Sequence, residues 1–332
     1  MKRFLSALPS YSHLYATILA SSIFLTGCDQ ATPLKSFDKI SEHSISVATI
    51  NPNGIILGTL ENGAFAHTKD TLQASYIWRQ PNDSEQSISA VAISKDSNTA
   101  ITTSGSTLTI WNTTTGAAEH YLSAPAIINA LAINDSGTRA VLGLSNRTAT
   151  IINLKRGGII QTLPHSSPVL AVAIYNESMV ITGEEANKAQ LWKIGMDTPL
   201  FTQEHLDAVT LVRFAPGATF AFSASRYDTI KGWKTKTPYT NIYQLNGKAM
   251  ALKAGRRAID IAFTDNQHFV VAFSDNTIEY RNLKSQQALK QWRAGKKTIL
   301  AKDNTRPIGI GKFANSWHAI MTDAKLYNLG DL

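Results

Sequence analysis

The chain has 332 residues, 43% hydrophobic and 17% charged, with a formal net charge of +8. That length and apolar content are ample for a buried core and exclude a disordered chain, which would be poorer in apolar residues. The single cysteine excludes a disulfide within the chain.

The chain opens with a basic end, Lys2 and Arg3, followed by an apolar run from Leu14 to Leu25. This run is too short for a comfortable membrane span and reads as an export signal. It closes on Leu25-Thr26-Gly27-Cys28, which resembles the lipobox of bacterial lipoproteins. The resemblance implies a signal peptide over residues 1–27, cleavage before Cys28, and lipidation of its thiol. Such a lipid holds a protein at a membrane surface rather than across it. Residues 28–33 would form a short tether on the periplasmic side. Asp29 resembles the signal that retains lipoproteins at the inner membrane, with the outer membrane as the alternative.

Beyond the tether, aromatic and β-branched residues come in short runs broken by Asn, Asp, Ser and Gly. Long helical periodicity is absent, so the pattern predicts an all-β protein. A strand is expected over Leu34 to Ile40, and then a repeat begins. The last apolar residue of each first strand marks it: Ile50, Ile93, Ile133, Ile174, Phe214, Phe263 and Phe313. These anchors lie 43, 40, 41, 40, 49 and 50 residues apart. Alternating apolar residues precede them, as in Val169 to Ile174. Turn residues follow, as in Asn51-Pro52-Asn53-Gly54 and Asn134-Asp135-Ser136-Gly137. Third strands then include Leu108–Trp111, Ala149–Ile152, Gln190–Trp192, Ile230–Trp233, Ile278–Tyr280 and Lys325–Tyr327.

The fullest unit runs from His205 to Trp233. A histidine precedes a short apolar strand, a polar turn, a strand rich in Ser and Ala, an Asp-containing turn and a closing Trp. This unit resembles the WD40 repeat, whose period is about 40–45 residues with four strands per blade. The resemblance covers residues 34–332 and implies a seven-bladed β-propeller. Leu332 follows directly on the third strand of the seventh repeat, so that blade lacks a fourth strand. The spare strand at Leu34–Ile40 is expected to supply it and to close the ring.

In WD40 proteins the histidine joins a structural hydrogen-bond network with a hydroxyl, a turn Asp and the closing Trp. Carried onto this chain, one such set is His205, Ser223 or Ser225, Asp228 and Trp233. Another is His165, Thr182 and Trp192, with Glu184 or Glu185 near the Asp place. His43 occupies the corresponding place in the first repeat. A His, Ser and Asp set is also the composition of a catalytic triad. Its partial recurrence in a second repeat favours structure over a single active site.

The eight histidines are scattered and no paired-Cys or H-E-x-x-H spacing is present, so neither a metal nor another cofactor is expected. Trp111-Asn112-Thr113-Thr114-Thr115-Gly116 resembles the strand-to-turn motif of WD40 units more than the motif of quinoprotein propellers.

Charge divides the chain. Residues 29–204 carry 11 Lys and Arg against 15 Asp and Glu, whereas residues 205–332 carry 19 against 9. Two segments between the fourth strand of one blade and the first of the next hold much of that excess. One contains Lys248, Lys253, Arg256 and Arg257; the other contains Arg293, Lys296, Lys297, Lys302 and Arg306. They are candidate contacts for an acidic protein partner. The expectation is a non-catalytic interaction scaffold or assembly factor of the cell envelope, membrane-bound through its lipid, with no nucleic acid partner. The alternative is a propeller enzyme, such as a lactonase, hydrolase or quinoprotein, with its site in the central channel.

Overall fold

A computed structural model describes residues 31–34, 36–81, 87–226, 229–245, 256–294 and 305–332. Two short strands come first, β1 (Thr32–Pro33) and β2 (Phe37–Lys39). Blade one is β3 (Val47–Asn51), β4 (Gly54–Gly58), β5 (Ala64–Thr68) and β6 (Tyr76–Trp78). Blade two is β7 (Ala90–Ile93), β8 (Thr99–Ser104), β9 (Thr107–Asn112) and β10 (Ala118–Ser123). Blade three is β11 (Ile128–Ile133), β12 (Arg139–Leu144), β13 (Thr148–Asn153) and β14 (Ile159–Pro164). Blade four is β15 (Val169–Tyr175), β16 (Met179–Glu184), β17 (Lys188–Lys193) and β18 (Phe201–Glu204). Blade five is β19 (Val209–Phe214), β20 (Phe220–Ser225), β21 (Ile230–Lys234) and β22 (Asn241–Leu245). Blade six is β23 (Ala258–Phe263), β24 (His268–Phe273), β25 (Thr277–Asn282) and β26 (Ala288–Arg293). Blade seven is β27 (Pro307–Phe313), β28 (Ser316–Met321) and β29 (Lys325–Gly330), with β2 as its outer strand.

The molecule is therefore a seven-bladed β-propeller in which consecutive strands of each blade pair antiparallel. All seven sequence anchors fall on the first strands of their blades. In blades one and three the turn after the anchor is held by an asparagine side chain that caps backbone amides. Asn134 Oδ1 accepts from the amides of Thr138 (2.9 Å) and Arg139 (3.0 Å). Asn51 Oδ1 does the same for Asn53 (3.0 Å) and Gly54 (2.8 Å).

Successive residues of a strand point to opposite faces of its blade, so each blade packs against both neighbours. In blade one Ile56 and Ala64 meet Ala100 and Trp111 of blade two, while Ile55 and Leu57 meet Ile320 and Leu326 of blade seven. Every one of the seven seams holds such an apolar cluster. The seam of blades one and two carries a stacked pair, Trp78 on Trp111, with ring centroids 5.0 Å apart.

Closure uses the N-terminal segment. β2 pairs antiparallel with β29, Phe37 opposite Tyr327 and Lys39 opposite Lys325, and completes blade seven. The strand is shorter than Leu34–Ile40. Ile40 is buried in the seam of blades seven and one, and Leu34 packs between blades six and seven. One feature was not expected: β1 pairs parallel with β26, Thr32 opposite Trp292 and Pro33 opposite Arg293, and gives blade six a fifth strand. The segment thus straps two blades.

Candidate functional site

The two histidine sets sit inside their blades. His165 precedes β15, Thr182 is on β16 and Trp192 on β17. His165 Nε2 is 2.7 Å from Thr182 Oγ1, and Trp192 Nε1 donates to the same oxygen at 3.0 Å. His165 Nδ1 lies 3.0 Å from the Leu163 carbonyl, which can only accept, so the ring proton belongs on Nδ1. Nε2 then accepts from the Thr182 hydroxyl, which in turn accepts from the indole. Burial holds the His165 imidazole below its ordinary pKa, opposed by the Leu163 carbonyl and by Glu184.

Blade five repeats the arrangement with Ser223. His205 Nε2 is 2.8 Å from Ser223 Oγ, and Trp233 Nε1 donates to that oxygen at 3.1 Å. Asp228 lies outside the described residues. Glu184, 1% exposed, accepts from the amides of Ser166 (3.0 Å) and Ser167 (3.2 Å) and so fixes the loop that carries His165. Glu185 is exposed. His43 is exposed as well and stacks on Phe65 with centroids 5.3 Å apart, so it does not enter a blade interior.

A histidine within 3 Å of a hydroxyl has the spacing of a base and its nucleophile. Access decides against that use here. Thr182 and Ser223 are both 0% exposed, and each oxygen is covered by an indole. No substrate atom can approach them without opening the blade.

Sequence patterns missed a third set. In blade two Gln80 takes the place of histidine: Gln80 Nε2 donates to Thr102 Oγ1 at 2.6 Å, and Trp111 Nε1 donates to the same oxygen at 2.8 Å. Thr109 Oγ1 donates to Gln80 Oε1 at 2.5 Å. The detectable signal was the Thr102 and Trp111 pair, nine residues apart, against ten for Thr182 and Trp192.

Arg256 was expected at a partner surface and is instead buried, at 8% exposure. Its Nη2 donates to Glu279 Oε1 (2.5 Å) and Thr277 Oγ1 (2.7 Å), and the guanidinium lies 3.5 Å from the Phe273 ring centroid. Arg281 pairs with the other oxygen of Glu279, and Gln291 Nε2 donates to Oε1 at 2.9 Å. A buried carboxylate needs such partners, and they consume the charge of Arg256 internally. Thr277, Glu279 and Arg281 alternate along β25, all buried, and Arg281 stands where blades two, four and five place Trp111, Trp192 and Trp233.

Of the remaining basic candidates, Arg257 and Arg293 are half-buried and Arg306 is exposed. Arg257 and Arg306 each stand just before the first strand of a blade, so the common strand direction puts them on one face of the ring. The Arg293 carbonyl accepts from the Leu34 amide at 2.9 Å. Lys248, Lys253, Lys296, Lys297 and Lys302 lie outside the described residues.

The central channel forms a cavity of about 600 Å³. Ile50, Ile93, Ile133, Ile174, Phe214 and Phe263, six of the seven anchors, line it. Two ion pairs stand among them: Arg213 with Asp260 at 2.7 Å, and Lys95 with Asp135 at 3.4 Å. Asp260 also accepts from the amides of Ile261 (2.9 Å) and Ile310 (3.0 Å), so its carboxylate ties blade six to blades five and seven. Among the described residues no three His, Cys, Asp or Glu side chains gather as metal ligands. The channel thus offers apolar side chains beside polar surface, and its carboxylates are engaged in joining blades. Neither a protein-family model nor any curated protein matches the chain.

Proposed function

We propose that the chain is a lipid-anchored, WD40-type propeller of the bacterial envelope that acts as a non-catalytic interaction scaffold or assembly factor. The observation that carries this reading is the burial of the hydroxyls nearest the histidines, Thr182 and Ser223, at 0% exposure. These polar sets are then parts of the blades, and what the rigid ring offers to the outside is its loops. Fold alone does not select a function. The basic residues add direction, because Arg257 and Arg306 stand at the inter-blade loops of blades six and seven, where the sequence also concentrates lysines. A surface of one sign attracts partners of the other and speeds their encounter. The partner is therefore an acidic protein. Cys28 at the end of the apolar run supports the lipid anchor, and Asp29 supports the inner membrane.

Crosslinking in living cells, followed by identification of the captured proteins, tests the reading. It should recover a defined envelope protein with an acidic surface. Replacing Lys253, Arg257, Lys296 and Lys297 with Glu should weaken that capture and leave thermal unfolding unchanged; Arg256 is left out because it is buried. A protein that turns over a small molecule, and loses this when Arg213 or Asp260 is changed without loss of fold, would instead be an enzyme working in the channel.

A further inference from the structure

The strap fixes where the chain enters the ring. β1 runs parallel to β26, so it enters from the side of Leu289 and Lys290 and reaches only Trp292 and Arg293. Among the described residues no other strand pairs with the β26 edge. Residues 284–290 are exposed throughout, and Leu289 keeps 50% of its surface in water. Lys284 and Lys290 lie in this stretch, and residues 283–294, which also hold the half-buried Arg293, contain no Asp or Glu. On the neighbouring outer strand of blade seven Phe37 is 44% exposed, with Lys325 Nζ, which pairs with Asp323 at 2.6 Å, 4.8 Å from its ring centroid.

Cys28 is four residues before Thr32. Four extended residues span at most about 14 Å. Acyl chains on Cys28 would therefore hold Thr32, and the β26 edge beside it, at the headgroup layer. Blades two and three, across the ring, could not reach it. Apolar side chains among lysines are the composition of a surface that lies in a membrane interface, and basic residues there are drawn to anionic lipid.

We infer that the outer edge of blade six, residues 284–293, is a bilayer-facing surface that sets Leu289 at the headgroup boundary and Lys284 and Lys290 against anionic lipid. The inference rests on lipidation of Cys28. It orients the disc with its rim to the membrane and both faces turned sideways, open to partners.

Lipidation would leave the mature protein without a free thiol, since Cys28 is the only cysteine. Ala288→Cys at the blade six edge, or Ile159→Cys on blade three, then places one label, both sites being exposed. The labelled full-length proteins are reconstituted in phosphatidylethanolamine–phosphatidylglycerol vesicles containing a spin-labelled lipid. Fluorescence at position 288 should be quenched several-fold more than at 159. Lys284→Glu with Lys290→Glu should reduce that difference, as should vesicles of neutral phosphatidylcholine. Equal quenching at both positions, in protein whose mass shows an acylated Cys28, overturns the inference and leaves the anchor standing. A mass without acyl groups overturns the anchor first and the surface with it. Shielding of position 288 in native membranes but not in vesicles would assign the edge to a protein partner and overturn the lipid contact.

Discussion

At the scale of single residues, a hydroxyl repeatedly joins a blade's second strand to its third. Thr182 gives one hydrogen bond to His165 and takes one from Trp192, both within a sealed interior. Thr182→Val keeps the shape and leaves an indole N–H and an imidazole nitrogen unpaired. The expected loss is about 1–3 kcal/mol, read from denaturant unfolding, and His205→Ala in blade five should lose a similar amount. A mutant as stable as the parent would mean that these bonds contribute nothing net. Acid should act through the same interiors. Burial lowers the pKa of His67, His165 and His318 from 6.5, in each case against an opposing backbone hydrogen bond. The unfolded chain then binds these protons more readily than the folded one. Their contribution to stability is complete above about pH 6.5 and is lost as pH falls through the folded values. Thermal unfolding followed from pH 8 to pH 5 should show a plateau and then a decline; a flat profile would contradict it. His165 and His205 were legible in the sequence because each lies nine residues before its anchor. Gln80 was not, since an amide in that place belongs to no familiar pattern. Arg256 misled, because charge by itself reads as surface until the buried Thr277, Glu279 and Arg281 face is seen.

At the scale of elements, the strap decides whether the ring is closed. Strands of two and three residues gain little by themselves, but β2 covers the edge of β29 and brings Ile40 into the last seam. Deleting residues 32–40 should expose two sheet edges, broaden thermal unfolding and promote aggregation. Unchanged, sharp unfolding of that variant would show that blade seven does not depend on the strap. The seven first strands and the need for a closing strand were readable because apolar residues recur at nearly fixed spacing and the last repeat was one strand short. The parallel β1 was not readable. Two residues, Thr32 and Pro33, carry no alternation, and blade six already had four strands.

At the scale of the whole molecule, seven apolar seams build one rigid ring, and the proposed role uses that ring as a platform. Charge separates it into an acidic first part and a basic last part, net −4 over residues 29–204 and +10 over residues 205–332. If docking to an acidic partner is the function, attraction across this basic sector sets the rate of encounter. The Debye length shortens from about 10 Å at 0.1 M salt to about 3 Å at 1 M, so the attraction is largely screened at the higher concentration. The most direct measurement is the association rate of the propeller with its crosslinked partner at these two salt concentrations, for the parent and for the variant with Lys253, Arg257, Lys296 and Lys297 changed to Glu. The account predicts at least a tenfold slower rate at high salt for the parent, and a slow rate with little salt dependence for the variant. Equal rates for both proteins at both concentrations would contradict it.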